Sequence, residues 1–191
     1  YSTDLAAGRL KVLPTGTKKA AGTPFTVTVR DGHRVVGQAR GTIGRQVGVK
    51  VRHPHLWSPD DPHLYNITIR TGHDTVSSYA GMRTISVAKV NGVNKILLNG
   101  RQTFLLSTLD QGFWPDGVYT APTDQALSWD IKQTKEFGFN TIRKHIKVEP
   151  ARWYYHADKL GMLVWQDIPA NNEGNTTQAG RNEFIAETRR I

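Results

Sequence analysis

The stretch FNTIRKHIKVEPARWYYHADKLGMLVWQDIP, Phe139 to Pro169, decides the fold of the second half of this chain. "FNTIRKHI" reads as a short strand. Pro150 suits the first position of a helix, where an N–H would find no partner anyway. "ARWYYHADKLG" then runs to Gly161, a natural helix stop. "MLVWQDIP" is a buried strand that Pro169 ends. Strand, helix, strand at this spacing is a right-handed parallel crossover.

The pattern extends both ways. Upstream, "PTDQALSWDIKQTKEFGF" is helical, with Thr123 as N-cap and Asp124 in the first turn. Ala126, Leu127, Asp130-Ile131, Thr134 and Phe137 recur at helical spacing, and Gly138 closes the helix. Downstream, "NEFIAETRRI" reads as a third helix. "KILLNGRQTFLLS" holds two apolar runs around Asn99-Gly100, a hairpin signal. Alternating strands and helices predict a parallel sheet, either a (β/α) barrel or a doubly wound sheet. The first strand leads into "LDQGFWPDGVYTAP" rather than a Gly-rich phosphate loop, which argues against dinucleotide binding.

Residues 1–89 have the other period. In "FTVTVR", Phe25, Val27 and Val29 alternate with Thr26, Thr28 and Arg30, and Asp31-Gly32 follows as a turn. "VGVKV", "LYNITIR" and "TVSSYAGMRTISVAKV" alternate in the same way. About seven short strands between turn signals predict an immunoglobulin-like β-sandwich. The division is thus a sandwich over 1–89 and α/β units over 90–191.

Composition fits two folded units. The chain has 191 residues, 38% hydrophobic, with five Trp. No apolar run approaches the roughly 18 residues of a membrane span, and no signal-peptide pattern stands at Tyr1. With zero cysteines, disulfides and thiol catalysis are excluded, while the compartment, secreted or cytoplasmic, stays open. Residues 1–90 carry 13 Lys and Arg against 5 Asp and Glu, and residues 91–191 carry 12 against 11. The basic first half suits an acidic polysaccharide, a nucleic acid, or simply solvent.

In either parallel architecture, function gathers where strands end at their carboxyl termini. That rule selects Asp110, Gln111, Phe113, Trp114 and Asp116 after the first strand, Arg143, Lys144 and His145 after the second, and Gln166 and Asp167, with the loop "ANNEGN", after the third. Aromatic rings, amides and charged groups on one rim suit a carbohydrate. Each also has a structural reading: Asp167 as a partner of Arg143, His145 as a satisfied histidine, Trp153 and Trp165 as core. Glu149 precedes a helix N-terminus, where the dipole favours the ionised carboxylate, the opposite of what a general acid needs. It reads as a helix start or as a partner of Lys147. His53, His55, Asp60, Asp61 and His63 lie in a Pro-broken loop whose spacing matches no zinc pattern. Neither metal nor cofactor is expected. Glu173 offers no partner in sequence.

Four stretches together resemble glycoside hydrolase family 2. "LWSPDDPHLYNITI" is similar to a segment late in that family's sandwich domain. "GMRTISV" resembles its Gly-Phe-Arg strand, with Met82 in place of Phe. "ILLNGRQTFLLS" resembles its Leu-Asn-Gly hairpin entering the catalytic barrel. "DIKQTKEFGFNTIRKHIKVEPARWYYHADKLGMLVWQDIP" resembles the first barrel helix, second strand, second helix and third strand. The resemblance covers most of residues 50–170 in order.

It implies a β-galactosidase- or β-glucuronidase-like enzyme: a sandwich followed by a TIM (β/α)8 barrel, hydrolysing β-glycosides with retention through two glutamates about 5–5.5 Å apart. The family places those glutamates after the fourth and seventh barrel strands, the acid/base in an Asn-Glu pair. Neither Asn172-Glu173 nor Asn182-Glu183 follows a fourth apolar strand, so neither takes the role. Asp110, Trp114, Arg143, Lys144, His145, Gln166 and Asp167 are the expected substrate contacts, Arg143 foremost. Many members carry Arg-x-Ser-His where this chain has Arg143-Lys144-His145, and Asp-Glu where it has Gln166-Asp167, which leaves galactoside, glucuronide and mannoside open. A barrel takes about 250 residues. The chain therefore reads as a piece, inactive alone, that needs the rest of the barrel. It is expected to bind carbohydrate and neither nucleic acid nor membrane, with oligomers open. A noncatalytic carbohydrate-binding or adhesion module is the rival reading.

Overall fold

Strict alternation builds the first half. A computed structural model of the protein describes residues 1–169 and 177–191. The loop "ANNEGN", with Glu173, lies outside the described residues. Two compact units emerge, Tyr1–Phe104 and Leu105–Ile191.

In the first unit the strands are β1 (Ser2–Asp4), β2 (Arg9–Val12), β3 (Pro24–Asp31), β4 (Arg34–Thr42), β5 (Val47–Lys50), β6 (Tyr65–Thr71) and β7 (Asp74–Ala80). They form two antiparallel sheets, ordered β1-β2-β5 and β4-β3-β6-β7. Leu10, Val12, Val49 and Val51 of one sheet meet Phe25, Val27, Val29, Tyr65 and Ile67 of the other in a single core. The result is a two-layer sandwich. Burying each such aliphatic side chain stabilises by about 1.5–3 kcal/mol, which is why the alternation sets the register.

Turn chemistry sets the hairpins. The β3–β4 loop is Gly32-His33, one residue later than Asp31-Gly32, because Asp31 pairs with Arg34 and Gly32 takes φ +57°. β4 passes close to β5, and side chains at Gly37 and Gly41 would strike Lys50 and Val47.

The hairpin of β8 (Ile85–Val90), β9 (Val93–Leu98) and the short β10 (Arg101–Gln102) belongs to the first compact unit. Both of its loops, Asn91-Gly92 and Asn99-Gly100, have positive φ at both residues, as a primed turn requires. Asn99 also accepts from the Thr84 amide at 3.0 Å and donates to the Trp57 carbonyl at 3.0 Å. Trp57 is fully buried, with the Arg83 guanidinium 4.2 Å over its ring.

The second unit alternates β11 (Ser107–Asp110), α1 (Asp124–Glu136), β12 (Thr141–Lys144), α2 (Ala151–Leu160), β13 (Leu163–Gln166) and α3 (Gln178–Arg190). The strands are parallel and lie in sequence order, β11-β12-β13. Leu127 and Ile131 of α1, Ile142 of β12, and Trp153 and Ala157 of α2 share one core, so both helices cover the same face. Thr123 caps α1, its hydroxyl accepting from the Ala126 amide at 3.0 Å. Pro150 is the N-cap of α2 rather than its first residue, and Gly161 ends it in the left-handed region.

Two expectations are corrected here. Phe137 is 79% exposed, because it falls on the cap of α1 rather than on its apolar stripe. Trp165, read as core, is 53% exposed: alternation puts it with Leu109 and Arg143 on the sheet face that α1 and α2 do not cover. Among the described residues no helix is long and apolar enough to cross a membrane.

Candidate functional site

β11, β12 and β13 end together at Asp110, Lys144 and Gln166, because the register pairs these three residues across the sheet. The ladder continues one step: the His145 amide bonds the Asp110 carbonyl at 2.9 Å and the Asp167 amide the Lys144 carbonyl at 3.0 Å. Side chains then separate by face.

Arg143 points to the open face. Its guanidinium donates from Nε and Nη2 to the Asp167 carboxylate, at 2.9 Å for the shortest bond. The pairing expected for Asp167 is therefore formed. His145 accepts at Nδ1 from the Gln111 amide nitrogen, 2.9 Å away, which leaves Nε2 as the N–H of the neutral ring. Ile146 follows at φ +49°, a costly conformation for a β-branched residue. A cavity of about 490 Å³ lies on this face, lined by Leu105, Ser107, Thr141, Arg143 and Trp165.

Lys144 goes the other way. It is wholly buried, its ammonium 2.7 Å from Asp110 Oδ2, 2.6 Å from Glu149 Oε1 and 4.7 Å over the Trp153 ring. Two carboxylates and one aromatic face thus surround the ammonium, and the expected rim residue points into the interior instead. Lys147 is likewise buried. It donates to the Gly112 carbonyl at 2.5 Å and the Tyr119 carbonyl at 3.1 Å, and pairs with Glu149 at 3.1 Å. Glu149 is thus the partner of Lys147 and of Lys144 as well. Buried pairs of this kind hold only when every lone pair and proton finds a partner.

The same cluster fastens the loop after β11. Asp110 Oδ1 accepts from the Gly112 amide at 2.7 Å. Gly112 has φ +63°, and a side chain there would run into Glu149, Lys144 and Lys147. Trp114 is half-buried against the Leu127–Ile131–Trp153 core, and its backbone bridges Val118. Gln166 is held inward, accepting from the Tyr154 hydroxyl and donating to the Lys147 carbonyl at 2.8 Å. Asp130 of α1 faces the cluster. Burial first, then the charges of Asp110 and Glu149, push its carboxyl above the usual range, against Lys144. Sequence reading paired Lys147 with Glu149 but missed Gly112 and Asp130 as members of the cluster. The signal for Gly112 was its place two residues after a strand-end aspartate.

On the first unit, His55 and His63 stack with centroids 4.2 Å apart, beside Asp61 and Asp31 respectively. Among the described residues no group of three or more His, Cys, Asp or Glu is placed to hold a metal.

The chain thus joins an antiparallel sandwich unit to a unit of sequentially ordered parallel βα elements with a polar rim at the strand ends. Residues 9–83 match the family model "Glycosyl hydrolases family 2", and relatives across most of the chain bear out the resemblance to that family. A β-galactosidase of Leuconostoc mesenteroides is 26% identical over 153 residues, 78% of this chain and 15% of that protein. A putative β-glucuronidase of Formosa agariphila is 31% identical over 128 residues, 64% of this chain and 12% of that protein. The β-glucuronidase of Ruminococcus gnavus in complex with D-glucuronic acid shares the fold at TM-score 0.69 and 23% identity, over 78% of this chain and 26% of that one. That of Parabacteroides merdae does so at TM-score 0.70 and 22% identity, over 92% and 23%. The chain thus spans about a quarter or less of each of these proteins.

Proposed function

We propose that the chain is the part of a retaining β-glycosidase in which an immunoglobulin-like sandwich leads into the first three βα units of a (β/α)8 barrel. The observation that carries this is the winding of the second unit. Strands in the order β11-β12-β13, with α1 and α2 on one face, suit a barrel, whereas a doubly wound sheet reverses its order and covers both faces. The sheet orders β1-β2-β5 and β4-β3-β6-β7 support the immunoglobulin-like assignment.

On this reading the open face carrying Arg143 and Trp165 is the barrel interior, and the remaining strands cover it. Arg143, His145 and Asp167 bind sugar hydroxyls at the rim, with Trp114 and Asp110 shaping the loop beside them. The substrate is a β-galactoside, β-glucuronide or β-mannoside. Hydrolysis proceeds by double displacement on two glutamates that lie outside this chain. Glu149 takes no part, because two ammoniums already hold it.

The 191-residue protein is expected to release no nitrophenol from the 4-nitrophenyl β-glycosides of galactose, glucuronic acid and mannose. A chain extended through the remaining barrel units is expected to cleave one of them with retention of anomeric configuration. Turnover by the 191-residue protein, or an inverted product from the longer one, overturns the proposal.

A further inference from the structure

The outer face of the four-stranded sheet in the first unit carries charge of one sign and takes no part in anything described above. The inward residues of β3, β4, β6 and β7 fill the core, and the outward ones stand in register rows. Arg40, Thr26, Arg70 and Thr75 lie side by side in one row. Gln38, Thr28, Thr68 and Ser77 form the next, and Val35, Arg30, Asn66 and Tyr79 form a third. No row contains a carboxylate. Arg30 and Gln38 steady the middle of the face by donating to Thr68 and Thr28.

Arg40 and Arg70 are exposed, and neither has a carboxylate partner among the described residues. Strand spacing sets their Cα atoms about 10 Å apart, either side of Thr26. A cleft of about 400 Å³ is lined by all three and by no acidic residue. Three of the unit's five acidic residues pair elsewhere: Asp4 with Lys11, Asp31 with Arg34 and His63, Asp61 with His55. Asp74 lines a different cavity, beside Ile69 and Val76. The unit as a whole holds 15 Lys and Arg against 5 Asp and Glu, the second unit 10 against 11.

We propose that this sheet face binds a linear polyuronate, a polysaccharide bearing carboxylates, at a site separate from the barrel rim. The two guanidiniums each take one carboxylate, whose planar shape matches the two-pronged donor. The Thr, Ser, Asn and Gln between and beside them donate and accept at sugar hydroxyls. A flat, twisted ribbon of hydroxyls and amides fits an extended sugar chain. It suits a nucleic acid poorly, because single-strand binders interleave cations with stacking rings, and Tyr79 is the one aromatic side chain in these rows. The proposal stands whether or not the second unit begins a barrel.

The test is affinity electrophoresis of the 191-residue protein through gels containing alginate, a neutral β-glucan, dextran sulfate or duplex DNA, at physiological salt. Alginate is expected to retard it most, and the neutral glucan not at all. Arg40→Gln with Arg70→Gln is expected to weaken alginate binding about tenfold or more, the loss of a charge-assisted hydrogen bond. Lys89→Gln with Lys95→Gln removes the same charge from β8 and β9, and is expected to cost less than about twofold, as screened distant charges do. Thermal unfolding checks that both doubles are folded. Absent alginate binding, tighter binding to dextran sulfate or DNA, or equal losses in the two doubles overturns the proposal.

Discussion

At Gly112 the backbone itself is part of a buried charge cluster. Its amide donates to Asp110, its carbonyl accepts a hydrogen bond from Lys147, and the space where a side chain would stand is filled by Glu149, Lys144 and Lys147. Gly138 has a positive φ too, +90°, but nothing lies within 4 Å of the position its side chain would occupy. The two glycines separate conformational from steric cost. Gly138→Ala should destabilise the second unit by about 1–2 kcal/mol, the left-handed penalty alone. Gly112→Ala should cost at least about 3 kcal/mol, because it adds the breaking of a buried ion pair. Urea midpoints of the two variants measure the difference, and equal shifts would show that the cluster yields freely. Glycine's φ could be anticipated from the sequence; the lysines and the glutamate that crowd it could not, since they come from residues more than thirty positions away.

The elements divide between those that were legible and those that were not. Helix α1 was legible because its signals are local: Thr123 at the cap, Leu127 and Ile131 on one face, Gly138 after the end. Asp130 falls at the same helical spacing, but the charges it meets were not legible, because they belong to β11, β12 and the segment before α2. Its pH behaviour follows from the raised carboxyl. The folded state holds the Asp130 proton more tightly than the unfolded chain does. That contribution to stability is complete below the ordinary aspartate value near 3.8 and is lost as pH rises through the higher folded value. Asp130→Asn is neutral throughout and removes this dependence. The variant should therefore gain on the parent as pH rises across that window, read as the difference between their urea midpoints. A constant difference would place Asp130 outside the cluster's field. Loop positions moved by a residue, as at Gly32-His33, because pairing of Asp31 with Arg34 closes the hairpin one step later.

For the whole molecule, the sheet face opposite α1 and α2 matters most. Leu109 and Trp165 are each about half exposed on it, and Trp165 lines the cavity of about 490 Å³ with Arg143. Such a patch, with strand edges that are unpaired among the described residues, favours association. Sedimentation velocity should show the 191-residue protein self-associating as concentration rises, and Trp165→Gln should shift it towards monomer. Identical profiles would mean the patch is not the contact. Trp165 was read as core because a tryptophan in an apolar strand usually is. Alternation instead assigned it to a face that the helices leave open.

The sequence by itself determined where the strands from β3 onward and the three helices run, which side chains of β3, β5 and β6 face inward, and the turn at Asn99-Gly100. These follow from periodicity and backbone sterics, which act over a few residues. It also placed Asp110, Arg143, His145 and Asp167 on one rim, because parallel strands must end together. Only the tertiary structure decided that Lys144 turns inward while Arg143 turns out, that Glu149 joins two ammoniums, and that Arg40 and Arg70 flank one threonine. Charged side chains are long, and their partners are chosen by three-dimensional proximity and by the cost of leaving a buried charge unpaired. No spacing along the chain encodes that choice.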